Sequence, residues 1–305
     1  MQKSVKILGV TVLILFIITS AVWYAVIRED RGGKLTVSFL NVGQGDSIFI
    51  DAPSGRQVLI DGGSGRSVLR ELSNVVPWYD RTIDVVIATH PDQDHIGGLP
   101  EVLSRYKVSL IVESSVKDEN GADSAALEKA VAREMLTGAQ RLVAKRGQII
   151  DLGDGAYLEI LFPDRAVTAV ETNTGSIVAR LVYGDTSFML TGDSPQSIEK
   201  YLVTLDGSTS FDIAQDKPLT TSGNGLKSNI LKAGHHGSKT SSAELFVGFV
   251  GPEYAVFSRG CDNRYGHPHK EIVSLFERFE IPTLDTCTEG TITFVSDGQN
   301  IRYSK

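Results

Sequence analysis

Cysteine is scarce. Cys261 and Cys287 are the only two, too few for a disulfide framework or a thiolate zinc module. Positive charge is also short: 30 Lys and Arg face 37 Asp and Glu, for a formal net charge of −7. That balance weighs against a protein that coats nucleic acid through a broad basic face, but not against an enzyme that grips a few phosphates locally. No G-x-x-x-x-G-K string occurs, so the glycines of "GQGD" (43–46) do not belong to a phosphate-binding loop. No segment repeats, and no second interdomain linker is visible. What is present is ample apolar material, 41% of residues against 22% charged, which supports a sizeable core and excludes global disorder.

The N-terminus is not globular. "ILGVTVLILFIITSAVWYAVI", Ile7 to Ile27, carries no charge. As a helix rising ~1.5 Å per residue it covers about 30 Å, enough to cross a bilayer. It lacks the polar stripe of a core helix and exceeds the roughly 7–15 apolar residues of a cleavable signal, which is the main rival reading. Trp23 and Tyr24 suit an interfacial belt. Lys3 and Lys6 on one side balance Arg28 and Arg31 on the other, and the initiator amine tips the count towards an N-terminus inside. The expectation is a single-pass anchor of the cytoplasmic membrane over residues 1–27, a linker over 28–34, and the remainder outside.

From Leu35 the chain alternates β-rich runs with turn signals: "LTVSFLNV", "DSIFIDA", "RQVLIDGG", then the buried run "IDVVIATH". "DHIGGLPEVLSRY" is expected to begin a helix, and "SAALEKAVAREML" has the 3.6-residue period of an amphipathic one. "AYLEILFP", "IVARLVYG" and "SFMLTG" read as strands, "SPQSIEKYLVTL" as a helix with Asp193 or Ser194 at its N-cap. "NILKAG", "YAVFS" and "TITFVS" are strands, and "HKEIVSLFERF" is a helix. The pattern predicts one α/β domain over 35–305. Residues 206–225, polar and without an apolar period, are expected to be a mobile surface insertion.

Residues of ligand type recur at the ends of these strands. Asp61 follows "QVLI". His90, Asp92, Asp94 and His95 follow "DVVIA" in "THPDQDHIGG". Asp193 follows "FMLTG", His235 and His236 follow "NILKAG", and His267 sits in "RYGHPH". Strand ends are where α/β sites assemble. A single aspartate there is as readily a cap or turn residue, and that alternative stands for Asp61. Two carboxylates among two imidazoles in six positions repel unless a cation joins them.

The order "HPDQDH", "TGD", "HHGS" resembles the metallo-β-lactamase superfamily. Within it, "FLNVGQGDSIFI", "LIDGG", "THPDQDHIGGL", "LKAGHHGSKTS" and "NRYGHPH" are similar to the soluble hydrolase domain of ComEC-type competence proteins, over roughly Leu35 to Ser296. The resemblance implies an αββα sandwich, two mixed sheets with helices outside and one or two divalent ions, manganese or zinc, at one edge. It implies His90 and Asp92 as ligands of a first ion, Asp94, His95 and His235 as ligands of a second, and Asp193 between them. Asp94 thereby joins the catalytic set. The chain departs from the superfamily in having Asp92 where most members have histidine, and no histidine between His95 and His235. The region where the missing one would fall contains Asn173 and Ser176 as polar candidates for contact with substrate, and the first ion site is poorer in nitrogen.

The implied chemistry is hydrolysis by a water made acidic by divalent ions. Asp46 and Asp61 could orient ligands from behind. Ser238 and Lys239 could hold a phosphate oxygen, although Lys239 is equally an ordinary surface lysine. His267 could protonate a leaving group or simply fix its turn. The reading favoured is a membrane-anchored phosphodiesterase acting on extracellular DNA, with a separate channel protein as partner, since one apolar segment cannot form a channel. The rivals are a non-catalytic tethered module that binds DNA or a channel, and a metallo-hydrolase of another substrate.

Cys261 and Cys287 follow the runs "YAVFS" and "IPTLDT", which flank one helix. A strand–helix–strand unit places its strands side by side and parallel, with both C-terminal ends pointing the same way. With strands ~4.8 Å apart the Cα separation suits a disulfide. An exterior location would preserve such a bridge, the rival reading being two unrelated small apolar side chains or a shared metal site.

Overall fold

A computed structural model describes residues 2–29, 31–165, 171–207 and 225–304. The insertion expected at 206–225 therefore lies almost wholly outside the described residues. In chain order the strands are β1 (Leu35–Phe39), β2 (Ile48–Asp51), β3 (Gln57–Ile60), β4 (Thr82–Ala88), β5 (Lys107–Glu113), β6 (Gln140–Val143), β7 (Ile149–Gly153) and β8 (Ala156–Phe162). They continue as β9 (Val178–Tyr183), β10 (Thr186–Leu190), β11 (Ile230–Lys232), β12 (Tyr254–Phe257), β13 (Thr283–Asp285), β14 (Ile292–Ser296) and β15 (Ile301–Ser304). The helices are α1 (Gln2–Glu29), α2 (Ser67–Val75), α3 (Gln93–Ile96), α4 (Leu99–Arg105), α5 (Ala122–Leu136), α6 (Gln196–Gly207), α7 (Glu244–Val250), α8 (Lys270–Arg278) and α9 (Thr286–Glu289).

The strands form two mixed sheets, β15-β14-β1-β2-β3-β4-β5-β6 and β13-β12-β11-β10-β9-β8-β7. Their facing sides share one apolar cluster, including Phe39, Ile50, Leu158, Leu181, Phe188 and Phe294. A second cluster covers the outer face of the first sheet with α2, α4 and α5, and a third covers the second sheet with α6, α7 and α8. Strands buried on both faces lose the simple alternation of a one-sided sheet, which is why "DVVIA" and "SFML" are continuous apolar runs. The result is the four-layer αββα arrangement. β3 to β6 run parallel, as do β10 to β13, so many of the C-terminal strand ends are gathered at one edge.

Two local expectations need correction or precision. The helix expected from Asp94 is split into α3 and α4. Gly97 and Gly98 at the break lie against backbone: a Cβ on Gly98 would come 2.1 Å from the Gly62 carbonyl oxygen. The glycines are there for close approach, and the short α3 is what turns Asp94 and His95 inward. Similarly, Gly45 of "GQGD" has φ 122° and its Cβ position falls 2.0 Å from the Asp94 carbonyl oxygen, so this loop packs backbone to backbone against the ligand motif. The apolar N-terminal window Lys6–Tyr24, with mean hydropathy 2.3, is unburied throughout, as a membrane span or a signal sequence would be.

Candidate metal centre

The strand ends at the shared edge deliver the polar side chains. β3 leads to Asp61, β4 to Thr89 and His90, β10 to Asp193, β11 to His235 and His236, and β12 to Ser258. The β1–β2 loop adds Asp46 and α3 adds Asp94 and His95. Asp46, His95, Asp193 and His236 offer ligand atoms all within 4.8 Å of one another, and all four are buried.

The distances sort these residues by role. His95 Nε2 lies 3.3 Å from Asp193 Oδ1. His236 Nε2 lies 3.4 Å from Asp193 Oδ2 and 3.3 Å from Asp94 Oδ2. His90 Nε2 lies 3.6 Å from Asp92 Oδ2 and 4.0 Å from Asp193 Oδ2. The Nε2 atoms of His90, His95 and His236 and Oδ1 of Asp193 are buried with no hydrogen-bond partner among the described residues. Buried polar atoms left unpaired are costly, and those of His95, His236 and Asp193, which belong to one tight cluster, fit a cation that they would share.

The opposite sides of the rings are held. His95 Nδ1 sits 2.7 Å from Asp61 Oδ2, and Asp61 also accepts from Thr89 N (2.8 Å) and Thr89 Oγ1 (2.6 Å). His236 Nδ1 sits 2.8 Å from the Ser258 carbonyl oxygen and 3.3 Å from Asp46 Oδ1. An Nδ1–H anchored on oxygen leaves the Nε2 lone pair facing the centre, the usual way a ligating histidine is oriented. Asp46 and Asp61 therefore stand behind the two imidazoles.

Electrostatically the centre is short of cations. Burial alone would raise the Asp46 carboxyl, but the Lys232 ammonium and the His236 ring outweigh it and hold it at about 2. Burial likewise opposes ionisation of Asp193, yet His236, His95 and Lys232 hold it well below the usual carboxylate range. Burial disfavours charge on His95 and on His236, and the neighbouring carboxylates, Asp193 foremost, raise both rings well above the usual range. This pull for protons is the same excess of negative charge that a divalent ion neutralises, since ligands must shed protons to bind one.

Lys232 is fully buried. Its Nζ lies 2.5 Å from Asp46 Oδ2, 3.5 Å from Asp193 Oδ1 and donates to the Gly192 carbonyl at 2.8 Å, so its three protons face three oxygens. Sequence reading missed this residue, taking "NILKAG" as a plain strand; the signal was a lone cation in an otherwise apolar run beside the ligands. It also chose His235 where the structure brings His236 to the cluster with Asp94 and His95. His235 stands on the other side of Asp193, 3.6 Å from Oδ2, and is partly exposed. Both residues of the doublet adopt left-handed backbone, His235 at φ 49° and His236 at φ 57°, which costs about 1–2 kcal/mol per non-glycine residue.

The other expected residues fall as follows. Asp92 is held by Thr172 Oγ1 on Oδ1 at 2.5 Å, leaving Oδ2 towards His90. Ser176 is buried and its Oγ accepts from Asp193 N at 3.3 Å, so it positions Asp193. Asn173 Nδ2 lies 3.4 Å from His235 Nδ1. Ser238 is buried and pairs with Thr240 Oγ1 at 2.9 Å. Lys239 is exposed and lines a separate groove with Gln196, Lys200 and Glu244. His267 packs beside both rings of the doublet, 5.5 Å from His235 and 6.2 Å from His236 between centroids. Burial and the rings of His236, His235 and His269 lower its pKa to about 4, so at neutral pH it offers a hydrogen bond rather than a charge. A disulfide joins Cys261 to Cys287 with Cα atoms 4.9 Å apart, at the ends of the parallel strands β12 and β13. A cleft of 620 Å³ adjoins the centre at Asp92 and Asp94 and is walled further by Gln44, Asp118, Arg264 and Tyr265.

Fold and site together define a metallo-hydrolase architecture, and residues 40–260 match the model of the metallo-beta-lactamase superfamily. The chain belongs to that superfamily. It is 32% identical to ComE operon protein 3 of Bacillus subtilis over 280 residues, 85% of this chain and 32% of that protein. It is 30% identical to competence protein ComA of Neisseria gonorrhoeae over 214 residues, 70% of this chain and 25% of that one. It thus spans about a third or less of the relatives it matches. Among solved structures, Igni18, a metallo hydrolase from Ignicoccus hospitalis, superposes with TM-score 0.51 at 14% identity, covering 85% of this chain and 98% of that one. CmlA, a diiron β-hydroxylase from Streptomyces venezuelae, does so with TM-score 0.52 at 13% identity, covering 85% and 53%. At that identity they show a shared fold.

Proposed function

We propose that this chain is a membrane-anchored, metal-dependent phosphodiesterase that cuts DNA outside the cytoplasmic membrane during DNA uptake, working beside a separate channel protein. The observation that supports it most is the convergence of unpaired Nε2 atoms of His90, His95 and His236 on Asp193. Asp94, His95, His236 and Asp193 would hold one ion, with His90 and Asp92 on its far side. Three carboxylates among the donors favour a hard ion such as manganese over zinc. When bound, divalent metal there would supply Lewis-acid polarisation of a phosphoryl group and activation of the attacking water.

The protein's own residues do the rest. Asp61 and the Ser258 carbonyl fix the ring orientations, and Lys232 keeps Asp46 and Asp193 ionised and in place. His267, uncharged at neutral pH, is buried beside the His235 and His236 rings, where it could donate a hydrogen bond to a leaving group. DNA as substrate rests on the similarity to competence proteins. Location outside is supported by the apolar helix α1 and by the disulfide, which persists in an oxidising compartment.

The test is a substrate panel: the full chain in detergent, loaded with manganese, on single- and double-stranded DNA, a glycerophosphodiester and a β-lactam, beside Asp193→Asn. DNA cleavage lost in the variant supports the proposal. Turnover of only the lipid-like diester or the lactam moves the chain to another substrate class, and DNA binding without cleavage makes it a tethered binding module.

A further inference from the structure

We propose that the edge of the sandwich opposite the metal centre is a membrane-docking face: Trp78 enters the bilayer interface while Arg81, Arg105 and Lys107 meet lipid phosphates, so that the metal centre points away from the membrane into the surrounding water. This rests on the reading of α1 as an anchor and goes beyond it by fixing how the hydrolase domain stands on the bilayer.

The strand directions define the two edges. β3 starts at Gln57 and ends just before Asp61, and β4 starts at Thr82 and ends shortly before His90. β2 runs the other way, with Asp51 paired to Gln57. Asp51, Gln57 and Thr82 therefore lie at the edge away from the ligands, and the 7 residues of β4, rising ~3.3 Å each, separate the two edges by about 20 Å. The chain leaving α1 is tied to that far edge twice, once on each sheet. Arg31 Nε donates to both carboxylate oxygens of Asp51, at 3.1 and 3.0 Å, and the Tyr183 hydroxyl donates to the Gly33 carbonyl at 2.7 Å. Arg31 follows the last apolar residue, Ile27, by only four positions, at most about 14 Å of extended chain. Wherever α1 leaves the bilayer, this edge is held close to the headgroups. Trp78 stands on the same edge. Its neighbours Tyr79, Arg81 and Thr82 line one groove with Arg31, and its ring meets that of Tyr79 edge-on at 5.8 Å. It sits in a tight turn closed by Asp80 N on the Pro77 carbonyl at 2.9 Å, and at 78% exposure it is the most exposed aromatic among the described residues. One exposed indole on a surface needs no explanation, but this one has cations beside it. Lys107 N donates to the Arg81 carbonyl at 2.8 Å, and Lys107 pairs with Thr82 across the strands. Arg81, Arg105 and Lys107 are exposed and form no ion pair among the described residues. The nearest carboxylate, Asp80, is engaged instead by Thr82 N, Thr82 Oγ1 and Gln57 Nε2 at 2.9, 2.7 and 2.7 Å. Tryptophan and unneutralised cations together are what a bilayer surface retains, each cation near anionic lipid strengthening contact by about fivefold. A domain docked this way presents its metal centre to a polymer in water, not to the headgroup diesters of the membrane beneath it.

The two tryptophans of the chain, Trp23 in α1 and Trp78 on the proposed face, supply the test. Trp23→Phe leaves Trp78 as the sole indole, and Trp78→Phe leaves Trp23. Each full-length variant is reconstituted into vesicles of phosphatidylglycerol and phosphatidylcholine, with and without bromine on the acyl chains close to the headgroups, and the indole emission is compared. Brominated lipid should quench Trp78 as well as Trp23. Reversing the charges, Arg81→Glu with Lys107→Glu in the Trp23→Phe background, should abolish most of the Trp78 quenching. Trp23 quenched with Trp78 emission intact would overturn the docking face and leave the anchor standing, whereas neither indole quenched would overturn both. Trp78 quenching unchanged by the charge reversal would overturn the part given to the cations.

Discussion

Lys232 is the residue whose environment constrains the centre most. A fully buried ammonium is tolerable only because its protons face Asp46, Asp193 and the Gly192 carbonyl. Burial opposes its charge, but Asp46 and Asp193 raise its pKa above the usual range, so it stays a cation. Lys232→Met keeps the volume and removes the charge, leaving two buried carboxylates short of a partner. Breaking a buried pair from one side costs about 3–5 kcal/mol. The metal-free variant should therefore lose about that much in chemical denaturation, and saturating manganese should recover part of it through Asp193. A metal-free stability equal to wild type would mean that Lys232 is not neutralising the pair.

Helices α6 and α7 meet through one carboxyl. Glu199 of α6 is buried and accepts from Ser242 N at 2.9 Å and Ala243 N at 2.6 Å, which closes the open N-terminus of α7. Burial raises its pKa from 4.5 to about 7, ahead of the opposing backbone hydrogen bonds. Because the folded value lies above the unfolded one, the folded chain holds the extra proton between them. That contribution to stability is complete below pH 4.5 and is lost as pH rises through 7, by up to about 3 kcal/mol. Wild type should lose stability between pH 5 and 8 by more than Glu199→Gln does, as read from melting temperatures across that range; equal slopes would remove Glu199 from the balance. The same element scale shows what sequence could and could not reveal. The strands before His90 and Asp193 were legible because continuous apolar runs ended in ligand-type residues. The break between α3 and α4 was not, since it depends on Gly98 touching the backbone of Gly62, some 36 positions away in sequence yet adjacent in space. Spacing could not choose between His235 and His236, because only their left-handed dihedrals decide which ring meets Asp94. Strands β5, β6, β7 and β15 are not picked out by the sequence pattern, as polar residues at Lys107, Ser109, Arg141, Asp151 and Arg302 dilute it.

At the scale of the molecule, charge decides the order of events. The chain carries a formal net charge of −7, and the cleft wall bears Asp92, Asp94, Asp118, Asp123 and Asp262 against Arg264. Such a wall repels a polyanion until divalent ions at the adjoining centre offset its charge. The proposed DNA hydrolysis should therefore depend steeply and directly on ion occupancy, with no plateau of metal-free turnover. The measurement that tests this is a single titration of the chelated, full-length protein with manganese, following cleavage of a fluorescent oligonucleotide and bound ion in the same samples. Cleavage that is nil in chelator, rises in step with bound manganese and falls away again on chelation is the expected result. Binding of manganese to saturation with the oligonucleotide left intact would contradict it.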